Sequence, residues 1–252
     1  MRFALFLVCG TLFAQMAVEK EKALGAQMAA DYRRQTGVLD APSVNSYLNE
    51  LGQRLAAQSP SRGLAYSFEL TDDDRTWIHE AAAFPSGPIF VPASLVLAAA
   101  DEDELAGMLA HAVAHIVTRG QTRSTATIPV IFMGGWSGYA PPRQGVAVPM
   151  GFLASQRKNE LDSDRLAVRM LSGAGYDPQA LARYIEHVQP DGAQTNERAP
   201  YPAKDERLAA LQTAIRQLPP TAYSTHPGLD AIHQDVTRLI ARPTKAPPRL
   251  SR

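Results

Sequence analysis

His111 and His115 stand four residues apart in LAGMLAHAVAHIVTR, an apolar, alanine-rich run from Leu105 to Arg119. On an α-helix, positions i and i+4 share a face, so the two imidazoles point the same way and make a two-nitrogen grip for a metal ion. In the pattern H-E-x-x-H the histidines bind zinc and the glutamate acts as general base. Here the position after the first histidine is Ala112. The metal half of the pattern is present and the base half is missing.

Two histidines at this spacing are weak evidence alone; core or surface histidines on a helix would look the same. A two-His, one-carboxylate zinc site also needs a third ligand from elsewhere and an open position for water. Glu160 in NELDSDRLAV offers that ligand, and Asp164, one turn on, shares its face and could orient an imidazole from behind. Read locally, however, Glu160, Asp162 and Asp164 look like an acidic solvated face paired with Arg157 and Arg165.

Several elements must position these groups. Val18 to Gln35 and Pro42 to Gln58 have the helical period, the second with Val44, Tyr47, Leu48, Leu51 and Leu55 on one stripe. Leu64 to Leu70 alternates apolar and polar residues as a half-buried strand. Trp77 to Ala83 and Ile89 to Val91 add to a small sheet of about three strands. Pro92 to Ala100 is a short helix. Asp101 and Glu104 form a capping-box pattern opening the histidine helix, and Gly120 is placed to close it.

Gln121 to Val148, rich in glycine and proline, reads as a long excursion with enough apolar content for a packed flap. Helices follow over Ser155 to Ser172, Pro178 to about Val188, Lys204 to Leu218 and Leu229 to Ile240. Gln189 to Pro202 is a polar linker, and residues 242–252 form a disordered tail.

Residues 1–17 have the plan of a signal peptide, with Arg2 before an apolar stretch too short to span a membrane. The only cysteine, Cys9, lies inside it, so the mature chain would carry no thiol, disulfide or zinc–cysteine cluster. The expected location is therefore outside the cytoplasm, in the periplasm, with secretion as the alternative. Lys plus Arg equals Asp plus Glu at 25 each, which gives no reason to expect a nucleic-acid partner, and no integral membrane span is expected. Oligomeric state is not legible.

From about Val18 to Ala241 the chain resembles the zinc metallopeptidase family of the CAAX prenyl endopeptidases and the HtpX heat-shock protease, in its exported bacterial branch. The blocks AAAFPSGPIFV, DEDELAGMLAHAVAHIVTRG, NELDSDRLAVRMLSGAGYDP and YPAKDERLAAL carry the resemblance in order. It implies a mainly helical α+β fold, a zincin-like metallopeptidase domain over residues 18–241 with a small β-sheet beside the active-site helix. It implies one Zn2+ held by His111, His115 and Glu160, with Asp164 as support. It also implies that the strand from Pro85 to Val91 borders the cleft, where an unfolded or extended polypeptide could pair with its edge by strand addition.

The departures fall in the chemistry. Ala112 replaces the catalytic glutamate, and Tyr201 stands where the family usually has a histidine before proline, leaving it a role in the cleft or at an oxyanion. Three readings stay open: a severely weakened zinc metalloendopeptidase or one rescued by another base, a zinc-binding pseudoprotease that holds envelope proteins without cutting them, and a scaffold that has lost the metal as well.

Overall fold

The computed structural model describes residues 4–61, 64–72, 80–123, 150–189, 201–224, 226 and 228–241. Eight helices and three strands lie among them: α1 (Ala4–Gln35), α2 (Pro42–Ala56), β1 (Ser67–Thr71), β2 (Ala82–Ala83), β3 (Pro88–Pro92), α3 (Ala93–Ala98), α4 (Glu102–Arg123), α5 (Met150–Ala174), α6 (Gln179–Val188), α7 (Lys204–Arg216) and α8 (Leu229–Ile240). The fold is mainly helical α+β, with one small sheet against a helical body, as the sequence led us to expect. No described helix is long and apolar enough to cross a membrane.

The sheet has the order β1-β3-β2, with β1 parallel and β2 antiparallel to β3. This overturns the expectation that the strand from Pro85 to Val91 offers its edge to a substrate. β3 is the central strand, registered Phe68↔Ile89 on one side and Ala83↔Ile89 on the other. The reason is visible in PIFVP: an apolar run buried at Ile89, Phe90 and Val91 suits a strand covered on both faces, not an edge.

The edges are managed differently. Amides on α2 stitch along β1: Asn49 Nδ2 donates to the Phe68 carbonyl (2.7 Å), and Asn45 Oδ1 accepts from the Leu70 amide (2.8 Å). Covering the edge in this way removes a template for unwanted pairing. β2 is strand over only Ala82–Ala83, with 77–79 of the expected Trp77 to Ala83 strand outside the described residues. The β2–β3 turn needs Gly87 at φ 127°, where a Cβ would meet the Ala65 carbonyl oxygen at 2.2 Å.

α4 opens as expected. Asp101 Oδ1 accepts from the Glu104 amide (2.8 Å), while Glu104 Oε2 reaches back to the Ala100 amide (2.9 Å), one residue before the position a capping box would use. Its end differs: α4 runs on to Arg123, so Gly120 is a helical residue and not the stop. Glycine in a helix interior costs about 1 kcal/mol, which weakens a helix without ending it. Glycine does terminate α5, where Gly175 (φ 88°) and the bonds Tyr176 N–H to Leu171 C=O (3.0 Å) and Gly175 N–H to Ser172 C=O (3.2 Å) make a Schellman turn.

α1 is continuous from Ala4, so the helix expected from Val18 extends through the segment read as a leader. Its far end lays Ala29, Met28 and Tyr32 on Phe84 and Phe90, covering the sheet face turned away from the main core. The main core is built by α2, β1, β3, α3, α4, α5, α6, α7 and α8, with α4 and α5 the most extensively packed pair. Most of the expected excursion over 121–148, the linker over 189–202 and the tail over 242–252 lie outside the described residues.

Candidate metal centre

α4 and α5 bring His111, His115 and Glu160 together in the core, at 2%, 2% and 1% exposure. The Nε2 atoms of His111 and His115 are 2.9 Å apart, and Glu160 Oε2 lies 3.4 Å from each. Zinc bonds of about 2.0–2.1 Å in a tetrahedron separate ligand atoms by about 3.4 Å, so both histidine–glutamate distances fit a shared ion; the histidine pair is somewhat closer. Glu160 Oε2 is buried without a hydrogen-bond partner, as a metal ligand lacking its metal would be. These three are the only metal-holding group of His, Cys, Asp or Glu among the described residues.

The reading of Glu160, Asp162 and Asp164 as one solvated acidic face fails. Only Asp162 faces outward, 2.9 Å from Arg165 and 2.5 Å from Lys158. Asp164 is fully buried behind His111, its Oδ1 2.9 Å from Nδ1. Helical phase explains the division, since residues 160 and 164 lie one turn apart on the face toward α4, whereas 162 points away.

Behind Asp164 lies a group not singled out in the sequence. Arg207, on α7 and 2% exposed, donates through Nε and Nη2 to the two oxygens of Asp164 at 2.9 and 2.8 Å. Its Nη1 reaches Gln189 Oε1 (3.3 Å) and Glu80 Oε1 (3.4 Å). Glu80 is 3% exposed and its second oxygen has no partner. One available signal was that Glu80 is a lone acid entering the apolar run AAAF; Arg207 had only its place in the block Asp205-Glu206-Arg207.

Tyr201 is buried beside this network, next to Pro202, whose carbonyl accepts from Gln189 Nε2 (3.5 Å). Ala112 is buried at 2% exposure and contributes a methyl group with no capacity for proton transfer. His115 is backed by hydroxyls: its Nδ1 lies 3.1 Å from Ser163 Oγ, which is 3.1 Å from Thr118 Oγ1.

The charges are strongly coupled. Burial opposes a charged imidazolium at His111, but Asp164 and then Glu160 outweigh it and push His111 up to about 9. Burial likewise works against ionisation of Glu160, yet His115 and His111 hold it well below the usual carboxylate range. Asp164 resists its burial because of Arg207 and sits at about 2. Glu80 goes the other way: burial first and the Glu160 charge second raise it to about 7 against the pull of Arg207. The carboxylates that favour a charged imidazole at His111 would equally favour a metal cation beside it.

Comparison with known proteins covers most of the chain. Residues 42–231 match the profile of Peptidase family M48, a span that contains all three metal-facing residues. The chain is 26% identical over 226 residues to the beta-barrel assembly-enhancing protease of Escherichia coli (strain K12), covering 81% of this chain and 46% of that protein. Against the putative beta-barrel assembly-enhancing protease of Vibrio cholerae the identity is 26% over 247 residues, 90% of this chain and 50% of that one. The chain thus spans about half the length of the curated relatives it matches. With the match extending over well more than half of its length, and with a metal-holding trio inside it, the chain belongs to peptidase family M48, a metal-dependent family.

Proposed function

We propose that this chain is a zinc-binding, metalloendopeptidase-like protein of the bacterial envelope whose peptide-bond hydrolysis is strongly impaired. The observation that carries the reading is the convergence of His111 Nε2, His115 Nε2 and Glu160 Oε2 beside an alanine. His111, His115 and Glu160 would hold one zinc ion, and Asp164, gripped by Arg207, would orient His111. When bound, zinc supplies a Lewis acid that acidifies water and polarises a carbonyl oxygen.

What this chain's own residues then lack is a proton carrier. The missing glutamate contributes typically about 10²–10⁴-fold in such catalysis, and the Ala112 methyl cannot replace it. Tyr201 carries a phenol, a hydrogen-bond donor and not a carboxylate base, and is better suited to line the cleft or stabilise an oxyanion.

We take residues 18–241 as the working domain, residues 1–17 as a signal peptide and the periplasm as the destination; the names of the relatives support an envelope setting. The partner would be an unfolded or extended polypeptide. Strand addition would have to use the edge at Ala82–Ala83, because β3 is already paired on both sides. A second reading, a pseudoprotease that binds such segments without cutting them, is favoured by the same pairing of an intact ligand set with Ala112.

Ala112→Glu decides between them. In the weakened-enzyme reading it raises zinc-dependent, chelator-sensitive cleavage of an unfolded polypeptide by about 10²–10⁴-fold. In the binding-module reading zinc stays bound and the wild-type protein captures the polypeptide, yet neither protein cleaves it.

A further inference from the structure

Glu80 enters the core immediately before β2, a strand that packs against α4, the helix of both histidines. It is 3% exposed, its Oε1 makes one long contact with Arg207 Nη1 (3.4 Å), and its Oε2 has no hydrogen-bond partner. An acidic side chain this deeply buried is rarely so poorly paired, because withdrawing its charge from water is costly unless a cation offsets it. Arg207 cannot be that cation alone. Its fork is taken by Asp164, and Glu160 also acts on the same guanidinium. Three buried carboxylates, Glu80, Glu160 and Asp164, therefore share the one buried guanidinium of Arg207. With the imidazoles neutral, as metal ligation requires, two negative charges are left in excess. A divalent cation among His111, His115 and Glu160 supplies two positive ones.

We propose that Glu80 is the counter-charge of the metal centre: from outside the ligand set, it supplies the negative charge that makes this part of the core neutral once a divalent cation is bound. The proposal rests on the metal-centre reading above. Glu80 is not itself a ligand, since among the described residues the ligand atoms within 4.8 Å of one another belong to His111, His115 and Glu160. It acts through space, and in a buried centre such a charge is poorly screened. Burial first, and the Glu160 charge second, oppose ionisation of Glu80 in the metal-free protein. A cation on Glu160 offsets the second influence. The alternative role for Glu80 is to hold Arg207 in place. That role needs only an oxygen acceptor, which glutamine retains, so charge is the property that separates the two.

The experiment uses the full chain, with Zn2+ affinity measured by competition with a chromophoric chelator just above neutral pH. Glu80→Gln, which keeps shape and acceptor but removes the charge, should weaken zinc by about 10–100-fold, the usual range for loss of a group behind the ligands. Glu80→Asp, which keeps the charge, should recover most of that loss. Metal-free Glu80→Gln should nevertheless unfold at a urea midpoint no lower than wild type, whereas loss of a structural prop would lower stability and affinity together. Co2+ bound in place of zinc should give the same visible absorption bands in Glu80→Gln as in wild type, because no ligand has gone. Equal zinc affinities for wild type and Glu80→Gln, a Glu80→Asp loss as large as that of Glu80→Gln, a lower metal-free midpoint, or displaced Co2+ bands would each overturn the proposal. Wild-type protein that took up no zinc would bring down the metal-centre reading and this inference together; uptake with equal affinities would bring down the inference alone.

Discussion

Arg207 and Asp164 meet as a two-pronged pair in the core, with Nε and Nη2 each donating to one carboxylate oxygen at 2.9 and 2.8 Å. The pair ties α7 to α5 directly behind the face of α4 that carries His111. A fork of this kind fixes direction as well as charge, which a lysine cannot reproduce.

Arg207→Leu should therefore destabilise the protein by about 3–5 kcal/mol, because it leaves Asp164 buried without its cation. Arg207→Lys should fall between that variant and wild type. Urea unfolding midpoints of the full chain at neutral pH measure this; a midpoint for Arg207→Leu equal to wild type would show that the pair contributes nothing net. The Asp164 contribution follows the sign of its shift. Its folded value of about 2 lies below the ordinary carboxyl value of 3.8, so the stability it adds is present above 3.8 and is lost as pH falls through 2.

Zinc affinity should depend steeply on pH. In the metal-free protein His111 is raised from 6.5 to about 9, so near neutrality an incoming metal must displace its proton. Each pH unit below 9 should weaken binding by about tenfold, or about 100-fold between pH 8 and pH 6. Chelator competition across that range tests the slope, and a flat profile would contradict it. The stability that the raised His111 gives the metal-free fold is complete below 6.5 and disappears as pH rises through 9.

Glu80 gives the opposite trend from Asp164. Its folded value of about 7 lies above 4.5, so its contribution is intact below 4.5 and erodes as pH climbs to 7. Glu80→Gln removes that erosion. Relative to wild type, the metal-free variant should gain on the order of a few kcal/mol between pH 4.5 and pH 7. Parallel unfolding curves with no pH-dependent gap between the two proteins would contradict this.

These relationships explain which parts of the site could be read in advance. The histidine pair follows from helical spacing, and Glu160 with Asp164 from the same spacing on a second helix, once the family resemblance had set aside the solvated-face reading. Arg207 and Glu80 are separated by 127 positions, and nothing local joins them until the fold does. The centrality of β3 was encoded in the unbroken apolar run Ile89–Val91, but an apolar run does not say which strands lie beside it. Gly120 was read as a stop because glycine often follows a helix; only the chain's path beyond it distinguishes a stop from a weak interior residue. Thr118 and Ser163 carry no signal of their own, since hydroxyls are common on helices and their meaning lies in 3.1 Å contacts across two of them.

The most direct test of the account is zinc content by elemental analysis of protein purified without chelator, with His111→Ala and Glu160→Ala alongside. About one zinc per chain in the wild type, lost in both variants while they remain folded, is the predicted result. No zinc in the wild type even after reconstitution, or zinc retained at full stoichiometry in both variants, would contradict it.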